Sequence, residues 1–167
     1  MSKPEPKKAS QPEVRRAVPG DEAAISNVLF QAFSTFQGHY TPEAFAIVTP
    51  TADVVATRFA EGPMWIADAN DEMVGTVSVT VEKGDLYVRS MAVLPQSQGR
   101  GIAHMLLDTI DEYAAETQFD RIFLYTTYFA AGAKELYEKH GYAWVRDTPA
   151  EEWYGVPGLE MEKILFT

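Results

Sequence analysis

The sequence predicts an α/β fold, an α+β arrangement on one mixed sheet whose first strands are antiparallel and whose central strands are parallel. Apolar and polar residues alternate through residues 64–93, a pattern typical of half-exposed strands joined by short turns. A helical period follows and leads into Arg121–Thr126, which is apolar on both faces, as in a covered central strand. Because a strand, a helix and a second strand form a crossover unit, we expect Leu86–Val93 and Arg121–Thr126 to be parallel neighbours.

The first part of the chain predicts one strand and three helices. Asp21 is a suitable N-cap for a helix whose apolar residues recur at helical spacing. Thr41 followed by Pro42 is typical of another helix start, and Pro50 interrupts the pattern that follows. The expected elements are a strand at Glu13–Val18, a helix after Asp21, and short helices at Pro42–Ile47 and Thr51–Ala60.

The remaining elements follow from the hydrophobic period and from the residues that interrupt it. Turns rich in Asn, Asp and Gly separate the strands of the middle region, and Gly141 is placed as at a helix end. The expected strands are Met64–Asp68, Gly75–Glu82, Leu86–Val93, Arg121–Thr126, Tyr142–Arg146 and Leu159–Leu165, and the expected helices begin near Ile102 and Ala133. An acidic, aromatic loop joins the last two strands.

Composition indicates one ordinary globular domain. The chain has 167 residues, of which 46% are apolar and 23% charged. We assign residues 13–167 to that domain and residues 1–12, which are rich in Pro, Lys and Ser, to a disordered tail. The 14 basic and 24 acidic residues give a net charge of −10, which argues against nucleic-acid and membrane-surface partners. Since cysteines, a signal peptide and an apolar span are all absent, we expect a cytoplasmic protein without disulfides.

The segment Gln96–Gly101, QSQGRG, lies between a predicted strand and a predicted helix. Its two glycines let the backbone take positive φ angles and come close to a ligand. The first turn of the following helix has free N–H groups and the positive end of the helix dipole, so the segment suits a phosphate or pyrophosphate. Arg100 offers an additional cation. On spacing alone, a tight turn before a helix is the alternative interpretation.

The loop does not fit the two common nucleotide-binding patterns. His104 stands where a dinucleotide loop requires Gly or Ala, and the Gly-Lys-Ser/Thr of a nucleoside-triphosphate loop is absent. Met91–Ala103 instead resembles the GNAT acyltransferase superfamily, in which a strand ending in V-x-P leads into a Q/R-x-x-G-x-G/A pyrophosphate loop. Ala133–Tyr142 is similar to a second motif of that family, A-x-x-L-Y-E-K-x-G-F, and Ala67–Val77 is similar to its second hairpin, with Gly75 in place. The motifs occur in register, so the resemblance covers about residues 13–165.

The resemblance implies a GNAT-like fold and an N-acetyltransferase that uses acetyl-CoA as cosubstrate. In this family the cosubstrate lies where two central strands splay apart, which here are Leu86–Val93 and Arg121–Thr126. Loop N–H groups hold the pyrophosphate, the pantetheine arm pairs with the strand edge, and a strand N–H polarises the thioester carbonyl. The residues implied in cofactor binding are Met91, Ala92, Val93, Gln96, Gln98, Gly99, Arg100, Gly101, Ile102, Ala103 and Tyr137.

The resemblance also suggests catalytic residues. It places Tyr137 as the general acid that protonates the CoA thiolate, and the ordinary tyrosine pKa of about 10 suits that role. A buried core aromatic is the alternative interpretation of Tyr137. The candidate general base is Asp85, acting through a water, although a solvated turn carboxylate is the alternative there. The family often has Asn where this chain has Ala130, which puts detailed pantetheine contacts in question.

The acceptor amine is expected between the first helices and the loop that joins the last two strands. Aromatic rings beside carboxylates suit an ammonium-bearing substrate, such as a small amine, a peptide N-terminus or a lysine. Core packing of the rings and a solvated acidic loop are the alternatives. The residues predicted to contact the substrate are Phe36, Tyr40, Glu152 and Tyr154, within a wider set that adds Phe33, His39, Asp147, Glu151 and Trp153.

The histidines do not indicate a metal site. His39, His104 and His140 share no metal-ligand spacing, so we predict no metal. The leading hypothesis is therefore an enzyme that transfers an acetyl group from acetyl-CoA to a primary amine. The alternatives are a non-catalytic acyl-CoA-binding module of the same fold and an unrelated nucleotide-binding domain. A homodimer is compatible with the resemblance, although no segment dictates one.

Overall fold

The computed structural model describes residues 11–165, and within this range the chain forms seven strands and five helices. The strands are β1 (Glu13–Arg16), β2 (Met64–Ala69), β3 (Glu72–Glu82), β4 (Asp85–Val93), β5 (Arg121–Thr126), β6 (Ala143–Thr148) and β7 (Gly158–Ile164). The helices are α1 (Glu22–Ser34), α2 (Pro42–Val48), α3 (Ala52–Arg58), α4 (Ile102–Glu116) and α5 (Ala133–Lys139). The predicted tail, residues 1–12, lies outside the described residues except for its last two. None of the described helices has the length and apolar character that a membrane span requires.

All seven strands belong to one sheet, in the order β1-β2-β3-β4-β5-β7-β6. β4 and β5 run parallel, with Leu86 opposite Ile122 and Val88 opposite Leu124. The other neighbouring strands in this part of the chain pair antiparallel, and β7 lies between β5 and β6. The predicted mixed sheet, antiparallel first and parallel in its middle, is therefore confirmed.

The core is built around β3. Every residue of this strand from Val74 to Thr80 is buried. Because successive side chains of a strand point to opposite faces, continuous burial means that both faces of β3 are covered. Helices α1 and α4 both contact β3 and β4, and α4 contributes Leu106 and Leu107, which have no exposed surface. The core thus holds β4 and the start of α4 firmly, and these two elements flank the site described below.

One helix begins differently from the prediction. Thr41 caps α2 as expected, since its hydroxyl accepts a hydrogen bond from the Ala44 N–H at 3.2 Å. Asp21 stands at the N-cap position of α1, but it makes no capping hydrogen bond to the helix. Its carboxylate instead accepts a hydrogen bond from the Val18 N–H at 2.8 Å and pairs with the Arg15 guanidinium at 2.9 Å. The expected cap is therefore wrong, because the ion pair holds the carboxylate on the preceding turn.

Arg121, at the start of β5, links three strands through carboxylates. It donates to Glu162, to Glu160 at 2.7 Å and to Asp85 at 3.2 Å. Only 8% of Glu160 is exposed, so its charge depends on such partners. We expect Arg121→Ala to lower the free energy of unfolding by about 2 kcal/mol in urea titrations. Arg15→Ala, which breaks a more exposed ion pair, is expected to cost less than about 1 kcal/mol. Equal losses in the two variants would contradict a special role for the Arg121 cluster.

Candidate active site

The two parallel strands separate before they end. Their pairing stops at Val88 and Leu124, although both strands continue. Just beyond that point β4 has one more residue than β3, so that Ser90 and Met91 together oppose a single residue of β3, and Ser90 has a φ of 56°. Such a β-bulge bends the strand that carries it. β4 therefore turns away from β5 at the carboxyl ends of both strands.

A cavity of about 960 Å³ begins in this gap. The ends of β4 and β5, the loop before α4, the start of α5, and side chains from α1 to α3 form its wall. Its volume is at the upper end of the range of ligand sites, which is roughly 300–1,000 Å³. The structure places Met91, Ala92 and Val93 of β4 on this wall. The cavity is therefore large enough for a long ligand that follows the strand edge.

The loop between β4 and α4 supplies free backbone donors. Gly99 and Gly101 have φ angles of 80° and 78°, and a Cβ atom built on either would meet nothing within 4 Å. The N–H groups of residues 99–101 donate to no backbone carbonyl of residues 11–165, and no side chain caps α4. Together with the positive end of the α4 dipole, these donors suit a phosphate group. The predicted residues of this segment that line the cavity are Gln98, Gly99, Gly101, Ile102 and Ala103.

Two of the predicted cofactor residues do not lie on the cavity wall. Gln96 and Arg100 are exposed, and neither is among the residues that line the cavity. Residues Pro95–Ser97 form a single turn of 3-10 helix, which leaves Gln96 outside and buries Ser97, 5% exposed, on the wall instead. The roles predicted for Gln96, in opening the loop, and for Arg100, as an additional cation, stay predictions, and Ser97 and Gln98 are the residues of this turn on the cavity wall.

Tyr137 is a buried residue of α5 that also lines the cavity. Burial, with a smaller contribution from Tyr87, raises the pKa of the Tyr137 phenol above its ordinary value. The phenol therefore keeps its proton at neutral pH, as a general acid must. Its ring also packs against Tyr142, with centroids 5.8 Å apart. Tyr137 is thus both a core aromatic and a cavity residue, so the two interpretations of it are compatible.

Asp85 does not lie on the cavity. It begins β4, at the end of the strand opposite to the bulge, and its carboxylate accepts a hydrogen bond from Arg121 at 3.2 Å. The role of general base that the sequence suggested for Asp85 has no geometric support. The physical reason is the parallel register, which places Asp85 beside the first residue of β5 and far from the point where the strands part.

Aromatic rings line one part of the cavity. Phe36, Tyr40 and Trp153, which the sequence analysis related to the acceptor amine, are all on its wall. Tyr40 is central, because its ring lies 5.0 Å from that of Phe129 and 6.4 Å from that of Trp153. Burial raises the pKa of Tyr40 to about 12, so its hydroxyl is uncharged at neutral pH. His39 stacks on Phe129 at 4.7 Å and supports the group from outside.

The predicted acidic pocket for an ammonium group is not present in the expected form. Glu152 lines the cavity, but Arg146 binds both of its oxygens, at 3.0 and 3.1 Å. Asp147 accepts a hydrogen bond from Trp144 at 3.0 Å and lies off the wall. Tyr154 is 52% exposed and also lies off the wall. Contact of Glu152 and Tyr154 with an ammonium-bearing substrate therefore stays a prediction, and among residues 11–165 the one carboxylate on the cavity wall, that of Glu152, is already paired with Arg146.

The sequence suggested that the three histidines are isolated, but two of them, His104 and His140, are in contact. His104, which lines the cavity, lies with its Nδ1 3.3 Å from the Nδ1 of His140. The Nε2 of His140 is 3.1 Å from Asp111 and 3.2 Å from Asp108, and these three side chains bring possible ligand atoms within 4.8 Å of one another. Lys163 already occupies one face of this group, 2.8 Å from Asp111. The absence of a metal thus stays a prediction.

Sequence reasoning missed several residues of the wall. Arg58 ends α3 and reaches the cavity, and nothing in the local pattern distinguishes it from an exposed helix residue. Ser90 marks the bulge, which no turn-type residue announces. The wall residues at the end of β5 and just after it could have been found, because ligands bind beyond the carboxyl ends of parallel strands; they are Thr126, Thr127, Ala131 and Gly132.

Comparisons with known proteins agree with this geometry. Residues 28–142 match the sequence model of the Acetyltransferase (GNAT) family. An amino-acid acetyltransferase of Mycobacterium tuberculosis is 29% identical over 83% of this chain and 72% of its own length. The N-acetyltransferase YjgM of Escherichia coli is 28% identical over 78% of this chain and 81% of its own length. An N-acetylaspartate synthetase of Danio rerio is 30% identical over 72% of this chain but only 44% of its own length.

Solved structures share the fold at low sequence identity. The PaiA N-acetyltransferase from Thermoplasma acidophilum, in complex with coenzyme A, has a TM-score of 0.76 and 16% identity over 93% of this chain and 100% of that one. A GNAT family acetyltransferase from Elizabethkingia anophelis with acetyl-CoA bound has a TM-score of 0.71 and 15% identity over 93% of this chain and 99% of that one. These likenesses confirm the predicted architecture.

The family match, the fold and the parted strands lead to one assignment. The match spans well over half of the chain and includes both the strand–loop–helix segment and α5. The resemblance inferred from the two sequence motifs is therefore confirmed. The chain belongs to the GNAT acetyltransferase family and is an acyl-CoA-dependent N-acetyltransferase.

Proposed function

We propose that the enzyme transfers an acetyl group from acetyl-CoA directly to a primary amine of a small molecule or peptide. The observation that carries this proposal is a single continuous cavity, with free loop amides at one side, the parted strands in the middle and an aromatic group at the acceptor end. Two relatives are named for amino-acid and N-acetylaspartate chemistry, which favours a small acceptor.

The described residues fit acetyl-CoA along the length of this cavity. The N–H groups of residues 99–101 and the start of α4 suit its diphosphate. At Ala92 and Val93, β4 pairs with β3 on one side only, so its other edge is available to amide groups of the pantetheine arm. Ala130 lines the cavity and adds no side-chain hydrogen bond there.

When bound, acetyl-CoA supplies an acetyl group activated as a thioester. A backbone N–H at residues 91–92 would polarise its carbonyl oxygen. In the transfer, the lone pair of the neutral amine forms a bond to the acetyl carbon as the carbon–sulfur bond breaks. Tyr137 donates its phenolic proton to the departing sulfur, and the proton released by the new amide nitrogen returns to Tyr137 through water. The balance is one amine and one acetyl-CoA converted to one N-acetyl product and one free CoA thiol.

The direct test is a product assay with labelled acetyl-CoA and a panel of small amines, amino acids and peptides. We expect an N-acetyl product and CoA thiol in equal amounts with at least one class of amine. Tight binding of acetyl-CoA without acetylation of any amine would instead support the non-catalytic acyl-CoA-binding module. A cytoplasmic location and metal-free activity stay predictions, and a homodimer is compatible with the proposal.

A further inference from the structure

The cavity wall is basic, although the chain as a whole is acidic. The chain has 14 basic and 24 acidic residues. Among the described residues that line the cavity, the lysines and arginines outnumber the carboxylates by four to one. These residues are Arg58, Lys83, Arg89, Arg146 and Glu152. If the wall had the composition of the whole chain, acidic residues would outnumber basic ones on it. The observed excess of basic residues makes the wall suited to an anionic ligand.

Two of these four cations already have carboxylate partners within the protein. Arg146 binds Glu152 and Glu160, and Arg89 binds Glu61 at 2.7 Å. Arg58 and Lys83 have no carboxylate of residues 11–165 within salt-bridge distance. Lys83 is exposed on the turn between β3 and β4, whereas Arg58 is half-buried. Arg58 is therefore the cation on the wall whose charge is both partly desolvated and unpaired.

Arg58 is held in place by uncharged groups. Its Nη1 donates to the Ser90 hydroxyl at 3.1 Å, and its Nη2 lies 3.4 Å from the Ile47 carbonyl. Burial, together with the nearby charge of Arg89, lowers the pKa of the Arg58 guanidinium. Since arginine carries five N–H donors, several remain after these two contacts. A partly buried guanidinium with free donors is best satisfied by a carboxylate, which accepts two parallel hydrogen bonds.

The position of Arg58 relates it to the acceptor rather than to the diphosphate. Its partner Ser90 is the bulge residue of β4, immediately before Met91, where the thioester carbonyl is expected. The loop that suits the diphosphate starts well beyond the bulge, after the end of β4. Arg58 also lies 3.4 Å from the Ile47 carbonyl of α2, the helix whose Phe45 ring is 6.3 Å from that of Tyr40. An anion at Arg58 would thus lie near the reacting amine.

We propose that the acceptor is a small amine that also carries a carboxylate, such as an amino acid, and that Arg58 binds this carboxylate. The inference rests on the proposed acetyl transfer and adds the substrate class and a specificity-determining residue. The acidic sequence predicted that carboxylates bind an ammonium group of the substrate. In this proposal a cation instead binds the carboxylate of the substrate, and its amine stays free to react. The amine must be uncharged to attack, so a binding site that grips its charged form would oppose the reaction.

The test compares each amino acid with its primary amide, in which the carboxylate becomes a neutral carboxamide. With wild-type enzyme we expect kcat/KM to be about 10- to 100-fold higher for the acid, as for one charged hydrogen-bonded pair. Arg58→Gln should abolish that preference by lowering kcat/KM for the acid alone, and Arg58→Lys should restore part of it. Lys83→Gln, the matched loss of the other unpaired cation, should leave the ratio of acid to amide as in wild type.

Other outcomes would overturn the inference. One is an equal kcat/KM of the wild type for acid and amide. A second is an equal effect of Arg58→Gln on kcat/KM for both substrates. A third is a loss of the preference for the acid in Lys83→Gln that is as large as in Arg58→Gln. If no amine is acetylated, the proposed acetyl transfer is wrong, but the carboxylate site at Arg58 can still be tested. The test is then the thermal unfolding temperature of the protein with CoA bound. Amino acids, but not their amides, should raise the unfolding temperature of the wild type and not of Arg58→Gln. The absence of any such shift would refute the carboxylate site.

Discussion

Replacing Gly101 with glutamate is expected to raise the dissociation constant of CoA by about 100-fold or more. Two causes act together. The φ of 78° is a conformation that L-residues adopt at a cost of about 1–2 kcal/mol, so the loop amides would shift. The added carboxylate would also stand beside the N–H groups of residues 99–101, where the diphosphate is proposed to bind. Titration calorimetry with CoA measures the change.

A matched variant separates these effects from general damage to the fold. Gly84, in the turn between β3 and β4, has a φ of 84°, and a Cβ there meets nothing within 4 Å. Gly84→Glu therefore introduces the same charge and a similar backbone strain away from the loop. We expect it to bind CoA like the wild type, while both variants lose similar stability in urea. Unchanged CoA affinity in Gly101→Glu would exclude the loop as the diphosphate site.

Local sequence patterns predicted the elements that depend on residues close together in the chain. Thr41 before Pro42 predicted a capped helix start, because cap and first turn are adjacent in the chain. The glycines at 99 and 101 predicted positive φ angles, since that conformation favours Gly. Parallel pairing of β4 with β5 followed from the crossover rule, which needs only the order of elements. The backbone frame of the site could therefore be predicted from the sequence.

The pairing of the polar and charged side chains at the site could not be predicted in the same way, because it depends on how the fold brings separate parts of the chain together. Arg58 contacts Ser90 across 32 positions, and His104 contacts His140 across 36. Glu152 looked free in an acidic loop, but the turn after β6 brings it against Arg146, six residues earlier, which also pairs with Glu160 of β7. The net charge that a cavity wall presents depends on which charged residues the fold places there and on which of them are paired. Composition predicted the net charge of the molecule but not the excess of basic residues on the cavity wall.

Replacing Tyr137 with phenylalanine is expected to lower kcat by about 100-fold, the low end of the effect of a general acid, with little change in CoA affinity. The substitution removes a single hydroxyl from a residue that is 8% exposed and keeps the ring in contact with Tyr142. Steady-state kinetics and CoA titration on the same preparations separate turnover from binding.

Tyr142→Phe is the natural control for this variant. It removes a buried hydroxyl that has no hydrogen-bond partner among residues 11–165, from a side chain that is off the cavity wall. Its kcat should stay close to that of the wild type, because no proton transfer passes through it. The pH profile gives a second criterion. Burial raises the pKa of Tyr137, so the acid stays protonated and the wild-type rate should rise with pH as the acceptor amine loses its proton. If the rate instead fell in the mildly alkaline range, or if Tyr137→Phe turned over like Tyr142→Phe, another group must protonate the CoA thiolate.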